Sequence, residues 1–209
     1  GIRMWLESDS GVARTGADVD SWTCKSTGFV ATGTTTARPV YSASDAAFNG
    51  KPSLAGTVAA ATQLSNTTDT PFTSAQTRTM FLVFKAAGAP ATNEFWCLHD
   101  SRHAATARPG WMWGNLDGVA FVYNDGVSVN QVIPVPSSYT ATHLLSHIWV
   151  SGQTLQVWLD RASQAASGAT PTDDVEAVGF DIFSKQNAAT PFAGKITAVI
   201  GLIGAMNAS

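Results

Sequence analysis

Short apolar runs recur along the chain, rich in β-branched and aromatic residues and separated by Gly, Pro, Asn and Asp. No window of about a dozen residues shows the i, i+3, i+4, i+7 apolar spacing of an amphipathic helix. Runs of this kind with turn residues between them predict β-strands. About a dozen strands with short connections favour an all-β fold of two packed antiparallel sheets, a jelly-roll β-sandwich.

Several runs predict particular strands. Residues 79–85 (TMFLVFK) form a near-continuous apolar run, which predicts a central strand buried on both faces. Residues 94–100 predict the strand that follows. Residues 196–206 (ITAVIGLIGAM) predict a buried strand, because they are about half as long as the roughly 20 residues of a membrane span. The Thr- and Gly-rich stretch 26–38 predicts a loop.

Two hairpins follow from the spacing of later runs. Residues 119–123 and 127–135 flank Asn-Asp-Gly, a sequence typical of tight turns. Residues 143–150 and 154–160 flank Ser-Gly-Gln. Alternation in this second hairpin predicts one face on each strand, made of His143, Leu145, His147 and Trp149 on the first and of Leu155, Val157 and Leu159 on the second.

The stretch NGKPSLAG (49–56) combines a turn with a strand entry. Asn49-Gly50 can adopt the positive φ that a tight turn needs. Pro52 favours an extended edge or first strand position. Gly56 permits a close approach of another part of the chain. We expect a structural role for this segment.

Composition adds limits on function. The chain has 209 residues, 13% of them charged, and a net charge of −3. Its twelve Lys and Arg residues are scattered, which argues against nucleic-acid binding. We expect a single domain over residues 1–209 and no insertion into a membrane. Because the chain begins with Gly1, we expect that a segment before it was removed or left out.

The two cysteines, Cys24 and Cys97, leave two alternatives open. They could form one disulfide, or both could be free and buried. No sequence feature indicates a cofactor. The pairs His99/His103 and His143/His147 have a spacing that holds zinc on a helix, but no Glu follows the first His of either pair. We therefore predict no metal site.

Several segments in order resemble the laminin-G-like branch of the concanavalin A-like lectin/glucanase superfamily. The resemblance spans nearly the whole chain, and its segments are residues 4–12, Trp22, 38–41, 49–56, 79–88, 143–161 and 191–202. Two positions depart from the family pattern. Cys24 stands where the family tends to carry Asp, which speaks against a metal role for that corner. Asp160-Arg161 stands where the family usually has Asn-Gly.

The resemblance implies a sandwich fold and leaves catalysis unsupported. Catalytic members of the superfamily carry Glu-x-Asp-x-Glu on one strand, so that an acid and a nucleophile flank one bond. Here Glu7, Glu94 and Glu176 stand in no such series, and the Gln-x-His strand of the alginate-lyase relatives is also absent. The pairs Glu7/Asp9, Asp18/Asp20 and Asp174/Glu176 are interpreted as structural. We predict no catalytic residues.

A binding site is predicted around the segment GWMWGNLDG (110–118). Its two Trp alternate onto one face beside an amide and a carboxylate, and flat aromatic faces beside planar polar groups suit sugar rings. If residues 94–100 pair with this segment, the site comprises Trp96, His99, Asp100, Arg102, Trp111, Trp113, Asn115 and Asp117. The alternative is that these Trp fill the sandwich or an interface with a neighbouring chain. Trp5, Trp22, Trp149 and Trp158 are expected in the core.

The leading hypothesis is a non-enzymatic module for adhesion or assembly. Modules that resemble it occur in bacterial surface proteins and bacteriophage virions, which implies a virion, extracellular or cell-surface location. Its partner would be a glycan or a neighbouring structural protein, and a homo-oligomer is one form of such an assembly. The alternative is a carbohydrate-active hydrolase or lyase with an unrecognised site. A third interpretation is a structural subunit whose Trp-rich face is covered by its partner.

Overall fold

Antiparallel strands and one short 3₁₀ turn, Ala46–Phe48, account for the regular structure of the described chain. The structure is a computed structural model that describes residues 1–34, 36–69, 72, 77–89, 94–103, 110–115, 119–121, 132–134, 140–150, 156–164, 177–184 and 191–204. In chain order the strands are β1 (Ile2–Glu7), β2 (Val12–Thr15), β3 (Asp18–Thr23), β4 (Val30–Gly33), β5 (Val40–Asp45), β6 (Lys51–Gly56), β7 (Leu64–Asn66), β8 (Arg78–Ala86), β9 (Glu94–His103), β10 (Gly110–Asn115), β11 (Val119–Phe121), β12 (Val132–Pro134), β13 (Thr142–Trp149), β14 (Gln156–Leu159), β15 (Ala162–Gln164), β16 (Ala177–Ile182) and β17 (Gly194–Ile203).

The strands follow one hydrogen-bonded path and fold into two layers. The order is β10-β9-β16-β7-β4-β3-β5-β6-β17-β8-β13-β14-β15, with β1 beside β17 and β2 beside β3. The link between β3 and β5 is a single residue pair, Asp18 with Val40. Strands from β10 to β3 form the first layer, and strands from β5 to β15 form the second. A separate pair, β11 with β12, is also antiparallel.

One hydrophobic core joins the two layers. It contains Trp22, Leu64 and Phe180 from the first layer and Leu6 and Leu82 from the second, all of them fully buried. Since residues far apart in sequence share this core, the strands pack face to face as a sandwich. The structure thus confirms the predicted all-β, antiparallel two-sheet sandwich.

The central strand β8 lies between β17 and β13, as predicted. Met80, Leu82 and Phe84 on one face are buried, whereas Phe81 and Val83 on the other are partly exposed. The prediction that both faces are buried is therefore wrong. No third layer of described residues covers the outer face, so Phe81 and Val83 stay partly exposed there.

Both predicted hairpins have paired strands. β13 pairs with β14, and Leu145 lies opposite Leu159. His143, Leu145 and His147 are buried, so this face of β13 points to the core. Val157 on β14 is buried with them. The turns of both hairpins lie outside the described residues.

The segment 49–56 has the structural role that was predicted. Asn49 and Gly50 have φ values of 54° and 78°. Pro52 lies in β6, the strand that follows the turn. A Cβ on Gly56 would lie 2.6 Å from Cδ1 of Phe183 and 2.9 Å from the carbonyl oxygen of Phe192. Any side chain at this position would therefore collide with the loop that leads into β17.

Two predictions need correction. The stretch 26–38 is not a loop throughout, because β4 lies within it and pairs with both β3 and β7. Tertiary pairing overrides the weak strand preference of Ala, Thr and Gly there. Of the Trp expected in the core, Trp22 is fully buried, but Trp5 and Trp158 are partly exposed. Alternation places the neighbours of Trp5 and Trp158 in the core instead. The side chain of Trp149 lies outside the described part of the structure.

Cys24 carries a free, buried thiol, so the disulfide alternative is not the one found. Its Sγ accepts a hydrogen bond from the N–H of Trp5 at 3.2 Å and one from the Thr27 hydroxyl at 3.2 Å, and it lies 3.2 Å from Oγ of Ser26. Burial opposes ionisation, but hydrogen bonds from Ser26, Thr27 and Trp5 outweigh it and lower the pKa of the thiol. The side chain of Cys97 lies outside the description. No helix among the described residues is long and apolar enough to cross a membrane.

Candidate functional site

The two strands of the predicted aromatic site lie side by side. β9 pairs with β10, and the Cα partners include Trp96 with Trp113 and His99 with Trp111. The pairing that the predicted site required is therefore present in the backbone. The side chains of the predicted residues, as well as all of Asp117, lie outside the described part, so the following set stays a prediction: Trp96, His99, Asp100, Arg102, Trp111, Trp113, Asn115 and Asp117.

A polar groove lies in the same layer, two strands away from β9. It has a volume of about 450 Å³ and is formed by β4, β7 and the segments next to them. We call it the β4–β7 groove, and its lining residues are Val30, Thr32, Thr34, Gln63, Ser65, Asn66, Thr67 and Thr68. All eight are uncharged, and seven of them carry a hydroxyl or an amide.

The strand register explains why polar side chains collect here. Thr32 on β4 is the Cα partner of Ser65 on β7, and Ser65 is the partner of Asp181 on β16. Residues paired in this way share one face of a sheet. This line of paired residues runs across the strands and continues from Asp181 to its backbone partner Asp100 on β9. With strands about 4.8 Å apart, the groove lies roughly 10 Å from β9.

Asp181, on the neighbouring strand β16, fixes two of the groove residues from the side. Its side chain is fully buried. One of its carboxylate oxygens accepts a hydrogen bond from Nε2 of Gln63 at 3.0 Å and another from Oγ of Ser65 at 2.6 Å. Because both donors meet one oxygen, the side chains of Gln63 and Ser65 are held in defined orientations at the groove floor.

Asn66 shapes the wall in a similar way. Its Nδ2 donates to the carbonyl oxygen of Val30 at 2.9 Å, which ties β7 to β4. Its Oδ1 accepts from the N–H groups of Thr68 at 3.0 Å and Asp69 at 2.7 Å, an Asx turn. The turn leaves Thr67 and Thr68 exposed at the rim.

The groove was missed at the level of sequence, although a signal was present. Residues 30–34 (VATGT) and 63–67 (QLSNT) each place hydroxyl-bearing residues two positions apart. On two strands that pair, such spacing puts Thr32, Thr34 and Ser65 on one face. The pairing partner was the missing information, because 33 residues separate Thr32 from Ser65.

A second concavity, of about 470 Å³, lies on the outer face of the second layer. Its lining includes Glu7, Asp9, Thr142 and Thr197 together with the apolar Val83. Glu7 and Asp9 were considered as a carboxylate pair at the level of sequence. The structure places both of them at this concavity, Glu7 at the end of β1 and Asp9 in the turn that follows.

Both carboxylates contact one ammonium group. Nζ of Lys25 lies 2.6 Å from Oε2 of Glu7 and 3.5 Å from Oδ1 of Asp9. Nε1 of Trp5 also donates to Glu7, at 3.2 Å. The hydrogen bond to Glu7 raises the pKa of Lys25. These contacts agree with the structural interpretation of the pair.

The other acidic pairs have separate surroundings. Asp18 and Asp20 both form ion pairs with Arg38. The hydrogen bond from Thr15 lowers the pKa of Asp20, burial opposes it, and the hydrogen bond and charge of Arg38 add to the lowering. Asp174 and Glu176 lie outside the described residues. Within the described ranges, no three His, Cys, Asp or Glu side chains are grouped so that they could hold a metal ion.

Comparison with known sequences yields no relative. No family model matches the chain, and no curated protein matches it.

Comparison with solved structures gives matches over most of the chain. Domain 4 of AbnA, a GH43 extracellular arabinanase from Geobacillus stearothermophilus, in complex with arabinotriose, has a TM-score of 0.67 at 13% identity, over 99% of this chain and 94% of that one. The binding domain of Paraclostridial Mosquitocidal Protein 1 has a TM-score of 0.66 at 8% identity, over 99% of this chain and 49% of that one. The Ruminococcus gnavus IT-sialidase CBM40 bound to α2,3 sialyllactose has a TM-score of 0.51 at 9% identity, over 63% and 78%.

These likenesses show the fold. The chain has a β-sandwich architecture that it shares with carbohydrate-binding domains and with a toxin binding domain, in agreement with the concanavalin A-like fold expected from the sequence. It spans about half the length of the mosquitocidal binding domain, 49%.

Proposed function

We propose that the chain is a non-enzymatic β-sandwich module that binds glycans. The observation that carries this proposal is the β4–β7 groove, an uncharged concavity lined by hydroxyl and amide groups that other side chains hold in place. Sugar hydroxyls both donate and accept hydrogen bonds, and they match such a lining. The similarity of the fold to a domain solved with arabinotriose supports the proposal.

The predicted aromatic strands extend this surface. β9 and β10 continue the first layer beyond β16, so a chain of sugars lying across the strands would pass from the groove toward Trp111 and Trp113. Aromatic rings at that end would supply the stacking surface that the groove lacks. The eight residues named above are thus proposed as the second part of one binding face.

The ion pairs around Glu7 and Asp9 favour binding over catalysis. A glycosidase of the usual kind needs one carboxyl group that is protonated and can donate to the leaving oxygen. Nζ of Lys25 lies within 4 Å of both carboxylates, so each of them is held in an ion pair. A pair engaged in this way differs from the free acid and base that the alternative, a hydrolase, would need.

The biological setting is proposed from the resemblance to the laminin-G-like branch. We propose adhesion or assembly on a bacterial surface or a bacteriophage virion, outside the cell, with a glycan or a neighbouring structural protein as partner. Self-association into a homo-oligomer would raise the avidity of a weak glycan site.

A glycan array with the purified chain tests the proposal. We expect binding to a restricted set of glycans, and we expect the Trp111→Ala/Trp113→Ala variant to lose most of it while keeping its circular dichroism spectrum. A folded wild-type chain that binds no glycan would contradict the proposal and favour a structural subunit. Release of new reducing ends from a bound glycan would favour the hydrolase, and release of an unsaturated product would favour the lyase.

A further inference from the structure

The geometry points to the β4–β7 groove as a sugar subsite selective for neutral glycans over glycans that carry carboxylates. We infer this from the charge and the order of its lining, and the inference rests on the proposed glycan-binding function. It identifies both the location of one subsite and the chemical class of its ligand, neither of which follows from the fold.

Among its described residues, the lining offers no cation to an acidic sugar, since none of them is Lys or Arg. Arg38 lies near the groove, with its Cγ close to the backbone of Gly33 on β4. Its guanidinium is paired with Asp18 and Asp20. A sugar carboxylate entering the groove would lose water without gaining an ion pair, which is costly.

Two acidic residues add to this selectivity. Asp181 lies on the neighbouring strand beside the floor, in contact with Gln63 and Ser65. Asp69 is exposed at the end of the Asx turn that forms the wall. Neither residue could pair with a ligand carboxylate. A neutral sugar meets only hydroxyl and amide groups and has no such cost.

The lining is ordered before any ligand arrives. Gln63, Ser65 and Asn66 are held by the hydrogen bonds described above, and Oγ1 of Thr32 donates to the carbonyl oxygen of Ser65 at 3.2 Å. A site whose side chains are already fixed loses little conformational entropy on binding. The exposed hydroxyls of Thr34 and Thr67 lie toward opposite ends of this floor, where a short run of sugar rings could contact both.

The test measures binding of the full chain to matched neutral and acidic probes. Lactose and α2,3-sialyllactose share the same disaccharide and differ in the charged sugar, and arabinotriose serves as a second neutral probe. The array supplies further matched pairs, in each of which a neutral oligosaccharide is compared with its counterpart that contains a uronic acid. Because Arg102 of the proposed aromatic part could itself pair with a carboxylate, the comparison uses the chain with Arg102→Gln. We expect every neutral member that binds to exceed its acidic counterpart by about tenfold or more, the factor that about 1.4 kcal/mol gives.

Three variants locate the subsite. Thr32→Val/Thr67→Val removes two hydroxyls with little change of shape, and we expect it to weaken neutral binding by about 30-fold, the factor that the loss of two hydrogen bonds of about 1 kcal/mol each gives. Thr142→Val makes the same change in the second concavity and should leave binding unchanged. Thr32→Lys adds a cation at the exposed position of β4 and should raise binding of the acidic probes relative to the neutral ones.

The outcomes separate this inference from the proposed function. If the chain binds glycans but prefers acidic ones, or if Thr32→Val/Thr67→Val binds as well as the wild type, the inference is wrong and the module proposal stands. If no glycan on the array is bound by the folded chain, both are wrong.

Discussion

Two successive residues with left-handed backbone close the β14–β15 turn. Asp160 and Arg161 have φ values of 53° and 69°, and Leu159 pairs with Ala162 across them. Oδ1 of Asp160 accepts from the N–H of Leu144 at 2.9 Å, and its Oδ2 lies 2.7 Å from Nδ1 of His143. The side chain of Asp160 thus anchors the turn. Arg161, the second residue, has a left-handed backbone conformation that carries a steric cost for a residue with a Cβ.

Arg161→Gly should stabilise the protein. Glycine adopts positive φ without steric cost, but it also gains freedom in the unfolded chain, so we expect a net rise of about 0.5–1 kcal/mol in the free energy of unfolding. Urea denaturation measures it. Arg161→Ala, the matched control, keeps the Cβ and should show no gain. A loss of stability in Arg161→Gly would show that the arginine side chain contributes more than its backbone costs.

At the level of elements, Asp45 joins the 3₁₀ turn to two strands. Its carboxylate accepts hydrogen bonds from the N–H of Ala47 at 3.0 Å, from Oγ of Ser53 on β6 at 2.7 Å and from Nζ of Lys195 on β17 at 2.6 Å. Burial favours the neutral form, but the contacts with Lys195, Ser53 and Ala47 outweigh it and lower the pKa of the carboxyl.

This lowered pKa predicts a loss of stability in acid. The contribution of Asp45 is present above its unfolded pKa of about 3.9 and is lost as the pH falls through the lower folded pKa. We expect Asp45→Asn to cost about 2 kcal/mol at pH 7, the scale of hydrogen bonds to a charged group, and much less near pH 2. Urea denaturation at both pH values tests this.

Asp69→Asn is the control for the acid experiment, because Asp69 is exposed and its carboxylate makes none of these contacts. It should follow the wild type at both pH values. An Asp45→Asn variant that loses as much stability at pH 2 as at pH 7 would show that its effect is one of shape and not of charge.

The elements also show what could be predicted from sequence. Alternation grouped His143, Leu145 and His147 on one face of β13, and Asn49-Gly50 identified a turn, because both signals are local. β4 was missed because its Thr, Ala and Gly become a strand only by pairing with β3 and β7. The groove floor depends on Ser65 meeting Asp181, 116 residues away in sequence. No local pattern encodes such a contact.

At the scale of the whole molecule, Phe192 connects the two layers. Its ring lies 6.0 Å from that of Phe84 on β8 and 6.3 Å from that of Phe183, which follows β16. All three rings are fully buried. Residues 1–209 were expected to form one domain. Because the two layers share these buried rings, a single domain should unfold in one transition.

We expect one cooperative unfolding transition, with Phe192→Ala lowering the free energy of unfolding by about 3–5 kcal/mol. Tryptophan fluorescence and far-ultraviolet circular dichroism should report the same midpoint in both proteins. Ala193→Ser, at the partly buried neighbouring position, is a mild control. Two separate transitions would show that the layers unfold independently and would contradict the single-domain expectation.

The pairing of β1 with β17 determines how the module responds to tension. Ile2 lies opposite Leu202, and the N–H of Ile203 donates to the carbonyl oxygen of Gly1 at 3.0 Å. A pulling force applied between residues 1 and 204 would therefore load this ladder from one end. Its hydrogen bonds would break one after another from that end. In a shear geometry, by contrast, all of them would bear the force at the same time. Held at these two points under flow, the sandwich would yield at small forces.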